Sequence, residues 1–227
     1  MNFHSTRWSL VREAGGGGAS ARVALQELCG RYRPAVIAYV RRDLKPGEDV
    51  EDLVQSFFLE LLESGLLEKA DNVKGRFRSF LIGSLRHHLQ HQRQRSLAAR
   101  RGGGIANYDL AAVVDVAESH QPSPEAEFEA AWIRVILARA LERLRAEAEG
   151  RGRGALFDEL LPYLGESTAS REYVGVASAL SMRPNTVAVA VRRMRERYGA
   201  LVREEVSDTV GSLDELDSET GWFGLFA

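Results

Sequence analysis

Apolar residues in this chain recur at steps of three and four, and no stretch of useful length alternates apolar with polar residues. The first pattern is typical of helices that bury one face, whereas half-buried strands require the second. Breaks rich in glycine and proline, such as Lys45-Pro46-Gly47 and residues 150–154, divide the helical pattern into segments. The sequence therefore predicts an all-α protein, and 227 residues suffice for one large or two small domains.

The helical segments fall into two halves. We expect helices from Ala21, from about Glu48 and after Gly75 in the first half, and from Glu125, Ala155, Arg171 and Pro184 in the second. Between the halves lie a triple glycine and Pro122-Ser123-Pro124, which are typical of a linker. The sequence thus predicts two small helical domains, at 1–99 and 125–206. A flexible linker at 100–124, with a short helix at 110–116, joins them, and an acidic tail follows at 207–227.

The composition restricts the class of protein. Cys29 is the only cysteine, which excludes a disulfide framework and a cysteine-based zinc module. The opening residues contain no apolar core like that of a signal peptide, and no apolar run approaches the length of a membrane span. We therefore expect a cytoplasmic protein with no membrane partner.

Charges are segregated along the chain although the net charge is only −2. Residues 48–68 contain seven acids and no base, whereas residues 74–101 contain eight bases and no acid. Residues 192–203 contain five arginines against one glutamate, and the sequence after them turns acidic. Solvated helix faces can explain one such block, but three alternating blocks favour separate surfaces for separate partners.

The stretch LRHHLQHQRQR at 85–95 raises the question of a metal site, because His87 and His91 lie one helical turn apart. His88 points away from these two, so the three imidazoles cannot converge on one ion. No Asp or Glu lies nearby to complete a ligand set. We therefore expect no metal and no cofactor, and we interpret the histidine and arginine rows as a nucleic-acid surface.

The end of the second domain has the pattern of a helix-turn-helix. We expect the first helix to bury Tyr173 or Val174, with Ala177 and Leu180, and residues 181–183 to form the turn. Pro184 suits the first position of the second helix. That helix is expected to bury Val187, Ala190, Val191, Met194 and Tyr198, and to expose Ala188, Val189 and several arginines. In such motifs the start of the second helix reads the DNA major groove.

DVEDLVQSFFLELLE at 49–63, followed by KGRFRSFLIGSLRHHLQHQRQR at 74–95, resembles bacterial sigma factors of the extracytoplasmic-function (ECF) group. TRWSLV near the start, ALERLRAEAEG and VRRMRERYGALVREEV are similar to segments of a subset of that group. The resemblance implies a non-enzymatic subunit that binds core RNA polymerase and directs initiation at promoter DNA. It also admits an anti-sigma factor or another regulator as a partner.

The resemblance implies the residues of two surfaces in the first domain. The acidic helix would dock on the coiled coil of the polymerase beta-prime subunit through Asp49, Glu51, Asp52, Gln55, Ser56, Leu59 and Glu60. Phe57, Phe58, Leu61 and Leu62 cannot all face inward on that helix. The −10 element would be contacted by Asn72, Lys74, Arg76, Arg78, Arg86, His87, Gln90, His91, Arg93 and Arg95. The loop at 71–75 would help to hold a flipped base, whereas Phe77 and Phe80 share a helical stripe with Leu81, Leu85 and Leu89 and are expected in the core.

The resemblance also implies −35 contacts by the second domain, through Arg183, Asn185, Thr186, Ala188, Arg192, Arg193, Arg195 and Arg197. Here the sequence departs from the family, which commonly has polar or basic side chains where this chain has Ala188, Val189 and Ala190. Such side chains can touch thymine methyl groups but cannot donate to base edges. The strength of −35 reading is therefore open, as is the role of the tail, which could dock or stay disordered.

Two alternatives remain. A helix-turn-helix regulator that never binds polymerase would use the same DNA surface but would leave the acidic helix without a role. A metal enzyme built on His87 and His91 would need a third ligand and a base, for which the sequence offers no candidate nearby.

Overall fold

A computed structural model describes residues 19–65, 77–100, 121–165 and 173–207, together with residues 11, 13, 14, 16 and 67. Across the four ranges the chain forms seven α-helices, one 3₁₀ turn and no strand, which confirms the all-α class. The helices are α1 (Ala19–Asp43), α2 (Val50–Glu63), α3 (Phe77–Arg100), α4 (Pro124–Gly150), α5 (Gly154–Leu160), α6 (Tyr173–Ala179) and α7 (Pro184–Ser207). The predicted short helix at 110–116, the loop at 71–75 and the tail after 207 lie outside the described residues.

The chain divides into two compact units, Met1–Ile133 and Arg134–Ala227, which we call the first and second unit. The division falls inside α4, whereas the sequence predicted that the second domain begins at residue 125. The first turns of α4 belong to the first unit because Phe128 and Trp132 are fully buried and the Trp132 ring packs on Arg78 of α3. The division thus places ten residues of α4 in the first unit, and the predicted limits of the linker stay predictions.

In the first unit, α1 packs on α2, and α2 on α3. Of the expected core stripe of α3, Phe77, Leu81, Leu85 and Leu89 are at most 2% exposed, which confirms the core face. Phe80 is only half-buried, with its ring centroid 5.9 Å from that of Phe77. The Phe77 ring meets the buried Tyr32 ring of α1 edge to face, with centroids 5.2 Å apart. Two aromatic rings in this geometry contribute more than their buried area alone.

The acidic helix α2 is amphipathic and well capped. The carboxylate of Asp49 accepts a hydrogen bond from the backbone N–H of Asp52 (3.0 Å), and acids in the first turn suit the positive end of the helix dipole. Phe57 and Leu61 are buried, while Leu59 is 48% and Leu62 41% exposed. The expectation that the apolar residues of α2 cannot all face inward is confirmed.

In the second unit, α6 and α7 pack on α5 around one apolar cluster, which contains Leu160, Tyr173, Val176, Ala177, Val187 and Val191. The predicted inner face of α7 is confirmed, since Val187, Val191 and Tyr198 are buried and Ala190 and Met194 pack against its edge. At its far end α7 is tied to α4, where Arg139 and Arg143 hold the buried Glu205 at 3.2 and 2.8 Å. These ion pairs therefore fix the C-terminal part of α7 against α4.

The α6–α7 pair is bent by 102° across residues 180–183. Among the described residues, no single helix is long and apolar enough to cross a membrane. Only the bent α6–α7 pair, taken together, has the length and the apolar composition of such a span.

The turn between α6 and α7 depends on Ser181, whose φ of 52° lies in the left-handed region. The backbone N–H of Met182 donates to the carbonyl of Ala177 (2.8 Å), and that of Ser181 to the carbonyl of Ser178 (3.1 Å). This pair of bonds is a Schellman motif, which usually has glycine at the left-handed position. Met182 also packs against the apolar cluster, as the motif favours. The bend is therefore built by backbone bonds at a mildly strained residue.

Replacing Ser181 with glycine is expected to stabilise the second unit by about 0.5–1 kcal/mol, because glycine adopts a positive φ without steric strain. Thermal unfolding followed by circular dichroism measures the change. The matched control is Ser178→Gly in α6, where the same substitution is expected to destabilise by about 0.5 kcal/mol. Equal shifts for the two variants would contradict the role of the turn.

Candidate nucleic-acid interface

The outer row of α3 is accessible to a partner. His87, His91 and Arg95 are exposed, and the two imidazoles stack with centroids 6.2 Å apart and planes at 12°. Gln90 in the neighbouring row is also exposed. Side chains of this kind can donate to phosphate or base edges. The predicted outward direction of these four residues agrees with the structure, whereas their contact with DNA stays a prediction.

His88 is buried on the other side of α3, as expected for a residue that points away from His87 and His91. Its Nδ1 donates to Oε2 of Glu60 at 2.5 Å, and its Nε2 lies 2.9 Å from Oγ of Ser56. Both partners are residues that the resemblance assigns to polymerase binding. The histidine therefore joins α3 to α2, and Ser56 and Glu60 have a structural role in the first unit.

Arg78 lies inside the first unit, with only 3% of its side chain exposed. Its guanidinium lies 3.8 Å from the centre of the Trp132 ring, and its Nε donates to Glu129 at 3.2 Å. A cation in this position is stabilised by the aromatic face and the carboxylate together. The expectation that Arg78 is exposed to DNA is corrected, because the first turns of α4 cover it.

Among Arg78, Arg86 and Arg93, the three arginines of α3 with ion pairs described here, Arg86 is the most exposed. It donates to Oε1 of Glu125 at 2.5 Å, and the side chains are 64% and 37% exposed. The hydroxyl of Tyr39 also donates to Glu125 (3.3 Å). Hydrogen bonds with Tyr39 and Glu125 raise the pKa of Arg86. Burial pushes the pKa of Glu125 upward, but hydrogen bonds, including one from Arg86, outweigh it and lower that pKa.

Arg93 is half-buried and has several partners. Its guanidinium donates to both carboxylate oxygens of Glu48, at 2.7 and 3.0 Å, and to the backbone carbonyl of Asp43 at 2.8 Å. It also forms an ion pair with the Asp43 carboxylate. The hydrogen bond with Glu48 is the main cause that raises the pKa of Arg93 and lowers that of Glu48. Arg93 thus locks α3 to the turn between α1 and α2.

A groove of about 470 Å³ runs beside this face of α3. Arg86, Gln90 and Arg93 line it from α3, Tyr39 from α1 and Glu125 from α4. The groove follows the row of α3 residues that the resemblance assigns to −10 DNA, and α4 forms one of its walls. The remaining −10 candidates Asn72, Lys74 and Arg76 lie outside the described residues.

The solvent face of α2 combines acids with apolar groups. Glu51, Asp52, Gln55 and Leu59 are exposed, and Glu51 pairs with the exposed Arg33 of α1. Asp49 is exposed as well, although its carboxylate is used in the helix cap. Of the seven predicted polymerase contacts, Asp52, Gln55 and Leu59 are those whose side chains take no part in the hydrogen bonds and ion pairs described above.

At the start of α7, several of the predicted −35 residues are exposed to solvent: Arg183, Asn185, Thr186, Arg192 and Arg193. Arg192 is 73% exposed and lies 3.6 Å from Glu196 one turn further on. Val189 is 41% exposed, as predicted. Ala188 is half-buried and packs against the apolar cluster, which corrects the expectation that it faces outward.

The last two −35 candidates, Arg195 and Arg197, form hydrogen bonds with other residues of the second unit. Arg195 donates twice to the backbone carbonyl of Tyr163, at 3.0 and 2.6 Å. Arg197 grips the Glu147 carboxylate of α4, with its closest contact at 2.5 Å, and this is the main reason that the pKa of Arg197 is raised. Phosphate contacts by either residue would have to compete with these bonds.

The described residues contain no group of three or more His, Cys, Asp or Glu side chains that could hold a metal ion. His87 and His91 stand together in the outer row, and His88 points to α2 instead.

Residues 28–98 match the family model described as Sigma-70 region 2. This segment is therefore similar to sigma-70 region 2. The matched residues include most of α1, all of α2 and most of α3, so the match covers both the acidic helix and the basic row. It supports membership of the sigma-70 family and a role in polymerase binding and promoter recognition. Comparisons with curated proteins and with solved structures found no match.

The sequence did not indicate which acids pair with the arginines of α3. Asp43 is the last residue of α1, Glu48 lies in the turn before α2, and Glu125 and Glu129 lie at the start of α4. Ser123, Pro124 and Glu125 carried the signal of a helix start, with the Ser123 hydroxyl as its cap. That pattern predicted where α4 begins, but not which arginines its first residues would contact.

Proposed function

We propose that the protein is a sigma factor of the ECF group, which binds core RNA polymerase and directs initiation at a defined promoter. The observation that carries the proposal is the region 2 match across residues 28–98, which unites an acidic exposed helix and a basic exposed row. Its first unit would open and hold −10 DNA, and its second would contact −35 DNA. It would act in the cytoplasm, without catalytic residues, metal or cofactor.

The polymerase side of the proposal is supported by the chemistry of α2. Exposed acids beside an exposed Leu59 offer charge and apolar contact together, as a docking helix requires. We place the beta-prime coiled coil against Asp52, Gln55 and Leu59, with Asp49, Glu51, Ser56 and Glu60 around them. Because Ser56 and Glu60 are bound to His88, these two would contribute in the positions that His88 gives them.

The promoter side of the proposal has two parts. On α3, we assign −10 contacts to Arg86, His87, Gln90, His91 and Arg95, which are exposed. In the second unit, the 102° bend between α6 and α7 and the four-residue turn suit a helix-turn-helix. We assign −35 contacts to Arg183, Asn185, Thr186, Arg192 and Arg193. Since Ala188 is half-buried, Val189 is the apolar group offered to the bases.

The second candidate function is a helix-turn-helix regulator that binds DNA without polymerase, and the geometry of α6 and α7 favours it equally. The two candidates differ in one property, which is the binding of core RNA polymerase. An anti-sigma factor or another regulator could bind either of the two surfaces of the first unit.

The test is to mix the purified chain with bacterial core RNA polymerase and to separate the complex by size. We expect a stable one-to-one complex that selects and transcribes a promoter class from a pool of genomic fragments, which core enzyme alone does not. Duplex DNA binding without any binding to core would favour the plain regulator. Transcription from the same fragments by core enzyme alone would contradict the proposal.

A further inference from the structure

The start of α4 brings a carboxylate to the DNA-facing side of α3. Glu125 accepts hydrogen bonds from Arg86 (2.5 Å) and from the hydroxyl of Tyr39 (3.3 Å). Arg86 is nevertheless 64% exposed, and both groups line the open groove beside α3. A phosphate can therefore approach the same guanidinium from solvent.

The position of Glu125 is fixed by contacts other than its ion pair. Phe128 and Trp132, one and two turns further along α4, are fully buried in the first unit. The Ser123 hydroxyl accepts the N–H of Ala126 (3.2 Å) and caps the helix, while Arg42 donates to the carbonyl of Pro122 at 2.6 Å. The carboxylate is thus held beside Arg86 with little loss of its own freedom, which makes it an effective local competitor.

Arg78 and Arg93 of α3 differ from Arg86 in how readily they could exchange partners. Arg78 is buried beneath Trp132, and Arg93 is held by two carboxylates and a backbone carbonyl. The Arg86–Glu125 pair is exposed, and such a pair changes an equilibrium by at most about fivefold. It is therefore weak enough for a DNA phosphate to displace.

We infer that Glu125 is an intrachain competitor that occupies Arg86 until a DNA phosphate replaces it. The inference rests on the proposed function, whose −10 surface it regulates. A carboxylate in this place lowers the affinity of the free chain for DNA of any sequence, because phosphate contacts carry most nonspecific binding. It leaves contacts to base edges by Gln90 or His91 unchanged. The competitor therefore lowers nonspecific and specific binding by about the same factor wherever Arg86 meets a phosphate.

The experiment compares the full chain with Glu125→Gln, Arg86→Gln and the double variant. The matched control is Glu127→Gln, which removes the same charge from the same helical turn, where no contact with Arg86 is found. Binding to a fluorescein-labelled, mixed-sequence DNA duplex is measured by anisotropy over a series of salt concentrations. Circular dichroism verifies that each variant keeps its helical content.

We expect Glu125→Gln to bind the duplex about two- to fivefold more tightly than the native chain. Its plot of log K against log salt should keep the native slope, because the native chain also makes the Arg86 phosphate contact once Glu125 is displaced, whereas the slope of Arg86→Gln should be shallower by about 0.9. The double variant should bind no more tightly than Arg86→Gln, because the gain acts through Arg86. Glu127→Gln should show no comparable gain in affinity.

Two results would overturn the inference alone. One is equal affinity for Glu125→Gln and Glu127→Gln, and the other is a gain that persists in the absence of Arg86. If no variant binds DNA either alone or with core RNA polymerase, the proposed function fails and the inference fails with it. The native chain thus serves as the control that separates the two failures.

Discussion

Replacing Trp132 with alanine is expected to lower the free energy of unfolding of the first unit by about 3–5 kcal/mol. The indole is 2% exposed, so its loss removes a large apolar group and leaves a cavity. It also removes the ring that covers the Arg78 guanidinium at 3.8 Å, so that a buried cation loses a stabilising contact. A loss of this size is a large fraction of the stability of an ordinary domain.

Hydrogen exchange of the α1 and α3 amides, read by mass spectrometry, measures this effect within the first unit, and urea unfolding gives its size. The matched variant is Trp132→Phe, which keeps an aromatic face over Arg78 and is expected to lose roughly 1–2 kcal/mol. If Trp132→Ala left the exchange of α3 unchanged, the start of α4 would not be part of the first unit. Equal losses in the two variants would contradict a contribution from the Arg78 contact.

The helices and their inner faces could be predicted because they follow from local spacing. Phe77, Leu81, Leu85 and Leu89 lie four residues apart, and a helix places such residues on one side whatever its neighbours are. The same reasoning located the buried face of α7 at Val187 and Val191, and both are buried. The prediction was wrong at Ala188, which lies at the edge of that face, where α6 and α5 decide its burial.

The pairing of charges could not be predicted, because it joins residues far apart in sequence. The block of eight bases at 74–101 indicated an open positive surface. In the fold, Glu129 reaches Arg78, Glu125 reaches Arg86, and Glu48 reaches Arg93. Sequence spacing reveals only partners three or four residues away on one helix. These ion pairs make the electrostatic potential of α3 less positive than its composition suggests. The exposed His87 and His91 therefore form a larger share of the polar groups that α3 offers to a partner.

His88 shows what the periodicity of a single helix can and cannot predict. The helical periodicity placed it at the core edge, away from His87 and His91, which is correct. Its partners Ser56 and Glu60 lie on α2, and the contact depends on how α2 and α3 are aligned along their axes. A helical pattern contains no information about that alignment. Consequently the resemblance assigned both residues to polymerase, and the structure adds a role inside the protein.

The polymerase surface that we propose on α2 leads to the second large effect, which concerns Gln55 and Leu59, four residues apart on the exposed face of that helix. Leu59 is 48% exposed, and neither residue takes part in the cap or in the His88 contacts. The double variant Gln55→Arg/Leu59→Arg should fold normally and should weaken binding to core RNA polymerase by about 30-fold or more. The reason is that it would remove the proposed apolar contact and place two cations against the basic partner proposed for α2.

The matched control is Val23→Arg/Gln26→Arg on α1, which also replaces one exposed apolar residue and one exposed glutamine. Val23 is 67% exposed, so this pair tests the effect of added charge away from α2. Binding of labelled chain to core polymerase is measured by competition, and DNA binding of the free chain is measured in parallel. We expect the control to bind core within about twofold of the native chain, because exposed substitutions outside an interface have small effects. A similar loss in both variants would contradict a polymerase site on α2, since only charge, and not position, would then decide the binding.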